Sequence, residues 1–260
     1  MQTLIKDGHV IDPANKIDGS FDILINNGKI EAVLPKGKSS IGKIKDVKII
    51  DAKDCVVAPG FCDMHVHFRE PGHEYKETIE TGSASAAAGG FSTVAVMPNT
   101  FPVNDNRSVT ELIFSQAKKT SLVNIFPIGA ITNGLKGETL SDMGELKESG
   151  CIGYSDDGKP VMNSELMRRA LEYSRMFDLP CIQHSEILDL TLGGCMNEGI
   201  VSTELGLKGM PVEAEDIMVF RDICLLRKTG GRLHVAHISS GGAVDLVRQA
   251  KAKGLPVTCE

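Results

Sequence analysis

From Phe61 onward the chain alternates short β-branched runs with longer stretches of helix-forming residues, and that alternation limits the fold more than any other feature. The runs FCDMHVHF, STVAVMPN, NIFPIGAI, CIGYSDD, PCIQHSE, RLHVAHIS and PVTCE read as strands. Between them, ETIETGSASAAAG, RSVTELIFSQAKK, LSDMGELKES, SELMRRALEYSRMF, EAEDIMVFRDICLLRK and GAVDLVRQAKAK read as helices. Strand and helix in series predict a parallel sheet with right-handed crossovers. Several strands are apolar on both faces, as strands covered by helices are. Two architectures satisfy this pattern, a doubly wound sheet and a (β/α)8 barrel. No GxGxxG follows any strand, so the dinucleotide fingerprint of the first is missing. Polar, chemically capable residues fall at the C-terminal ends of several strands, where barrel active sites are built. The expectation is therefore an α/β fold, an incomplete (β/α)8 TIM-type barrel. About seven strands are present where closure needs eight, so the sequence reads as a piece of a longer chain, cut before strand eight.

Residues 1–60 have a different texture. TLIKDGHVID, DILINNGKIEAVLP and VKIIDAKDCVVAP are short alternating runs. Asn27-Gly28 between two of them is a strong hairpin signal. A small antiparallel β layer is expected over 1–60, with the barrel over 61–260. The stretch Gly37–Lys43 nearly matches a phosphate-binding loop, but Ile44 stands where Ser or Thr is required. Asn106-Arg107-Ser108 forms a glycosylation sequon that has no meaning without secretion.

Composition narrows the partners. Lys and Arg total 28 against 34 Asp and Glu, a net charge of -6 with no long basic block. That balance disfavours nucleic acid and anionic membranes. No apolar run reaches the ~18 residues of a membrane span, and the opening MQTLIKDGHVIDP does not read as a secretory signal. The 7 cysteines include no CxxC, which suits free thiols in the reducing cytoplasm.

The chemistry concentrates in four segments. In Asp63-Met64-His65-Val66-His67, strand alternation sends His65 and His67 to the same face, one pleat apart. Two imidazoles so placed can grip one metal ion. In Ser155-Asp156-Asp157-Gly158, adjacent residues face opposite ways, so only one Asp can enter a barrel mouth; by itself the segment also reads as a turn. Gln183-His184-Ser185-Glu186 carries a third strand-end histidine. In His234-Val235-Ala236-His237 the odd spacing allows one ligand; His237 lies nearer the strand end, and His234 reads as a satisfied structural histidine. His9 and His73 read as solvated loop residues.

The stretches VAPGFCDMHVHFREPG, ETIETGSASAAAGGFSTVAVMPNT, YSDDGKPV, MNEGIVSTELGLKGMPVEAE and HVAHIS, in that order, resemble the cyclic amidohydrolases of the amidohydrolase superfamily. Within that superfamily the resemblance is to the long-chain bacterial dihydroorotases. It implies a metal-bearing barrel with a small β-sandwich drawn from both ends of the chain, so that residues 1–60 are half of a composite sandwich. It implies reversible ring closure of N-carbamoyl-L-aspartate to (S)-dihydroorotate in pyrimidine biosynthesis. It implies one or two zinc ions, with His65 and His67 on the first, Asp157 on both, and His184 and His237 on the second. His67, Arg69 and Asn99 would contact the substrate, Arg69 and Asn99 at its carboxylate, an anion that a guanidinium fork suits. The family's proton-transferring Asp follows strand eight and so lies beyond Glu260. No catalytic residue is expected within this chain, and the 260 residues alone are expected to be inactive. After the strand-five His the family carries Glu-Asp where this chain has Glu186-Ile187, which bears on that loop. A homodimer and association with aspartate transcarbamoylase are the partners implied.

Two alternatives remain open. Hydantoinases, dihydropyrimidinases and allantoinases bridge their metals with a carboxylated Lys at the strand-four end. Here that position reads Tyr154-Ser155-Asp156-Asp157, with no Lys before Lys159. A non-catalytic homologue that partners aspartate transcarbamoylase would have lost metal ligands, and the positions named above are all occupied by ligand-type residues.

Overall fold

The computed structural model describes residues 2–37 and 47–260, in two compact units, Met1–Phe61 and Cys62–Glu260. From Lys38 onward, the stretch compared above with a phosphate-binding loop lies outside the described residues.

The first unit is one sheet of β1 (Gln2–Asp12), β2 (Ile17–Asn26), β3 (Lys29–Pro35), β4 (Val47–Asp51) and β5 (Val56–Val57). Asn27 and Gly28 turn β2 into β3 with φ of 49° and 76°. Both lie in the left-handed region that a two-residue hairpin matching strand twist requires. The expected antiparallel layer is in fact a mixed sheet. β1–β2 and β2–β3 are antiparallel, but β4 and β5 run parallel to β1. Parallel pairing needs a connection longer than a hairpin, and the chain between Pro35 and Val47 provides the length. His9 belongs to β1, not to a solvated loop, and its Nε2 lies 2.7 Å from Asp18 Oδ1.

The second unit carries the strand–helix series. β6 (Phe61–Val66), α1 (Ile79–Ala88), β7 (Phe91–Val96), α2 (Arg107–Thr120), β8 (Asn124–Pro127), α3 (Met143–Glu148), β9 (Tyr154–Ser155), α4 (Ser164–Arg175) and β10 (Cys181–Gln183) follow one another. An excursion comes next: α5 (Leu188–Thr191), β11 (Met196–Asn197), α6 (Ile200–Glu204) and β12 (Gly209–Met210). Then α7 (Glu213–Thr229), β13 (Leu233–Val235), α8 (Gly241–Ala252) and β14 (Val257–Cys259) complete the series.

Strands β6-β7-β8 form one sheet and β9-β10-β13-β14 another. A parallel bridge from Gly129 to Tyr154 joins them, with Ser155 N–H donating to Gly129 O at 2.8 Å. The barrel strands therefore stand side by side in chain order, a partial TIM-type barrel. Each expected strand and helix of the series is present; the excursion after β10 was not anticipated.

Alternation along β7 shows why these runs are strands. Val94 and Val96 join Phe68, Ile79, Val109, Ile113 and Ile125 in the core shared with α1 and α2. Ala95 and Met97 point the other way and meet Ile128, Ile182 and Ala236 inside the barrel. A larger cluster lies in the second half, where Met143, Leu146, Met167, Leu171, Leu226 and Leu233 are all buried. Each such side chain contributes roughly 1.5–3 kcal/mol on leaving water. Thr78, Asn106, Asp142, Asn163 and Ser240 cap the N-termini of α1, α2, α3, α4 and α8 with their side chains. Asn106, the sequon asparagine, thus has a structural task at the start of α2. Among the described residues no helix is long and apolar enough to cross a membrane.

Candidate metal centre

Five barrel strands deliver the site's chemistry at or near their C-terminal ends. β6 supplies His65 and, one pleat on, His67; Asn99 follows β7, Asp157 follows β9, His184 follows β10 and His237 follows β13. In a parallel sheet all these ends point one way, so residues remote in sequence converge.

Asp157 is the hub, with only 4 % of its side chain exposed. Its Oδ2 lies 3.3 Å from His65 Nε2 and 3.4 Å from His67 Nε2. Its Oδ1 lies 3.1 Å from His237 Nε2 and 3.4 Å from His184 Nδ1. The two oxygens thus divide the four imidazoles into pairs. His184 Nδ1 and His237 Nε2 are only 2.9 Å apart, too close for two bare lone pairs; a proton or a cation must lie between them. The main chain fixes Asp157 in turn, because its N–H donates to Ser155 Oγ, which donates to Ile182 O, each at 3.0 Å.

The neighbouring Asp156 points away, as strand alternation requires. Its Oδ1 accepts from Ile131 N and Thr132 N at 2.9 Å each, and Oδ2 accepts from Thr132 Oγ1. One carboxylate therefore fixes the loop after β8 and the other enters the histidine cluster.

Second partners orient the rings. His67 Nδ1 donates to Asn99 Oδ1 at 2.9 Å, His65 Nδ1 to Glu260 Oε1 at 2.8 Å, and His184 Nε2 lies 3.2 Å from Glu186 Oε2. Glu260 and Glu186 were not anticipated in these places. The signal for Glu186 is its position two residues after His184; the signal for Glu260 exists only once β14 is laid beside β13. Asn99, expected at the substrate, turns its oxygen toward His67. Arg69 follows β6 in a left-handed conformation, φ 61°, and has no ion-pair partner among the described residues. Its loop is stitched to the loop after β7 by Phe101 N–H donating to Pro71 O at 2.9 Å. That closeness demands Gly72, whose φ is 94° and whose added Cβ would sit 1.9 Å from Phe101 O. His234 is satisfied only in part. Its Nδ1 lies 2.8 Å from Thr258 Oγ1, while its buried Nε2 has no partner among the described residues.

The electrostatics follow the geometry. The Asp157 carboxylate, helped by Glu260, raises His65 to about 9. Burial would push the Asp157 carboxyl up, but hydrogen bonds from His184, His237 and His65 hold it well below the usual carboxylate range. Burial lowers His67, whereas in His184 the pull of Asp157 overcomes burial and raises it.

The donor set fits a divalent metal ion. His65, Asp157 and His237 offer ligand atoms all within 4.8 Å of one another. Two ligands held about 2.0–2.1 Å from one tetrahedral zinc are separated by roughly 3.3–3.4 Å, close to the measured nitrogen–oxygen distances. Imidazole and carboxylate are the donors that zinc takes in catalytic sites.

Fold and site together define a barrel whose strand ends gather histidines about one buried carboxylate. The family model described as dihydro-orotase-like matches residues 54–242, and the chain belongs to that family. A dihydroorotase from Syntrophus aciditrophicus (strain SB) is 52% identical over 261 residues, covering 100% of this chain and 60% of the relative. One from Geobacter sp. (strain M21) is 56% identical over 260 residues with the same coverages, 100% and 60%. The chain thus spans about 60% of the length of the curated relatives it matches. Among solved structures, L-hydantoinase (dihydropyrimidinase) from Arthrobacter aurescens has a TM-score of 0.81 at 22% identity, over 99% of this chain and 57% of that one. D-hydantoinase (dihydropyrimidinase) from a Thermus species has 0.74 at 24%, over 99% and 57%. These likenesses establish the barrel fold.

Proposed function

We propose that the protein is a dihydroorotase, catalysing the reversible, metal-dependent hydrolysis of (S)-dihydroorotate to N-carbamoyl-L-aspartate in pyrimidine biosynthesis. The observation that carries the reading is Asp157, whose two oxygens each face a different pair of imidazoles. That is the arrangement of a carboxylate shared between two ion positions. In this reading His65 and His67 hold one zinc, His184 and His237 the other, and Asp157 both.

A divalent ion bound there supplies a Lewis acid that polarises a carbonyl and acidifies water. In hydrolysis the water oxygen bonds the ring amide carbon, the carbon–nitrogen bond breaks, the nitrogen takes up a proton, and a carboxylate remains. The chain's own residues bind and orient. Arg69, free of internal acidic partners among the described residues, offers its fork to the substrate carboxylate. Asn99 keeps the Nδ1 proton of His67 turned away from the centre and leaves its own amide nitrogen for substrate. No proton-transfer role is assigned to a residue of this chain.

Zinc as the metal, a cytoplasmic location, a homodimer, association with aspartate transcarbamoylase and residues 1–60 as half of a composite sandwich belong to the same proposal. The hydantoinase reading is disfavoured because Asp157, rather than a lysine, occupies the middle of the cluster. Steady-state assays of the protein at the full length of its relatives decide between them. Turnover of dihydroorotate without turnover of hydantoin or allantoin is expected, and the reverse pattern would overturn the assignment.

A further inference from the structure

We propose that Glu260 is a positioning residue that fixes the metal-facing nitrogen of His65 and sets the backbone that presents His237. The inference deepens the metal-centre reading above and rests on it.

His65 can offer Nε2 to the centre as a ligand only if Nδ1 carries the ring proton. An unfixed imidazole can flip or change tautomer. Glu260 Oε1 lies 2.8 Å from His65 Nδ1, and a carboxylate there can only accept. It therefore keeps a proton on Nδ1 and leaves Nε2 as the atom that faces Asp157, free to become the ligand atom when a metal takes the place of its proton. Carboxylate partners of this kind fix ring orientation and raise ligand basicity in metal sites.

The same oxygen has a second task. It accepts the main-chain N–H of His237 at 3.1 Å. His237 has φ 37°, a conformation that L residues adopt at a cost and keep only where the surroundings hold them. Glu260 also spans that kink with its backbone. Its N–H donates to Val235 O at 3.2 Å, and its carbonyl accepts from Ile238 N at 2.8 Å. Groups before, at and after the kink thus all bond to one residue. Through it, a ligand from β6 and a ligand from the end of β13 are fixed relative to each other, although 172 residues of sequence (237 − 65) separate them.

The test compares the protein with Glu260→Ala and Glu260→Gln. One readout is the imidazole Nδ1–H proton of His65 by NMR, which needs no bound metal. The other is zinc affinity by chelator competition. In the wild type the proton should appear strongly downfield, as a charge-assisted hydrogen bond makes it. In Glu260→Ala it should be lost to exchange with solvent, with zinc bound about 10- to 100-fold more weakly. Glu260→Gln keeps an acceptor oxygen and should retain the proton at a less downfield position, with a smaller loss of affinity. An unchanged His65 proton in Glu260→Ala, or unchanged zinc affinity in a wild type that binds zinc, would overturn the proposal. If Glu260→Ala does not fold, an unchanged proton position in Glu260→Gln overturns it instead. If the wild type binds no zinc but its His65 proton behaves as described, the metal reading fails while the orienting role of Glu260 stands.

Discussion

Asp156 and Asp157 are covalent neighbours with opposite duties, and the period-two alternation of a strand end is what divides them. Asp156 satisfies two buried main-chain N–H groups of the loop after β8. Among the described residues the Asp157 carboxylate faces only the four histidines. The two substitutions should therefore separate stability from chemistry. Asp156→Ala leaves two buried donors unpaired and should cost about 2–6 kcal/mol in urea unfolding, at roughly 1–3 kcal/mol for each orphaned group. Asp157→Ala should weaken zinc binding at least about 100-fold, beyond the loss typical of an outer-shell partner, and lower turnover of dihydroorotate correspondingly in a protein of the relatives' full length, while the metal-free protein keeps its thermal midpoint within a few degrees. A metal content in Asp157→Ala equal to wild type would argue against the shared-carboxylate centre. At this scale the sequence was informative for Asp157 and the four strand-end histidines, because alternation and position at a strand end are local properties. It was silent on Glu260, whose partners come from β6 and β13 and meet it only through strand pairing. Its reading of His234 as a structural histidine agrees with the bond to Thr258, whereas the lack of a partner for Nε2 among the described residues is a property of its surroundings rather than of its spacing.

Among the elements, α4 shows how little of an exposed helix's charge need concern the site. Glu165 in its first turn accepts from Arg168 and Arg169. The Arg168 hydrogen bond, reinforced by Arg169, holds the Glu165 carboxyl down at about 2 from its ordinary 4.5. A depressed carboxyl stabilises the fold above its unfolded value and ceases to do so as pH falls through the folded one. The wild type should therefore unfold at slightly higher urea than Glu165→Gln at pH 7, with the gap closing between about 4.5 and about 2. The gap is small because the group is exposed and screened. Urea melts of both proteins at pH 7, 5 and 3 would show it, and a gap independent of pH would mean that the fan of arginines contributes nothing. The long helices were legible because their caps and periodicity span several turns. The excursion of α5, β11, α6 and β12 was not, since two-residue strands and helices of four or five residues are too short to display a period. The first sheet was half legible. Asn27-Gly28 announces its own hairpin, whereas the parallel return of β4 depends on a partner found at a distance.

Over the whole molecule, the barrel series buries Cys151 and Cys181 at 1% and 0% exposure. Burial, the dominant cause, pushes their thiols up to about 11 and about 12. Thiolate is the reactive form, so these two should resist thiol reagents in the native protein at pH 8 and react only on unfolding. Cys195 is exposed and should react promptly; mass spectrometry of the labelled peptides checks both. Native labelling of Cys181 at the rate of Cys195 would mean that β10 opens readily, contrary to its place in the core.

The donors stand at or past the last turn of pleat in each strand, and the packed hydrophobic side chains stand behind them. The apolar clusters are built from residues other than the ion-binding groups. A lineage could then exchange a histidine or the shared acid, fall silent as a catalyst or take up a different ring, and still inherit the same barrel. In such a descendant, resemblance of shape would outlast resemblance of chemistry.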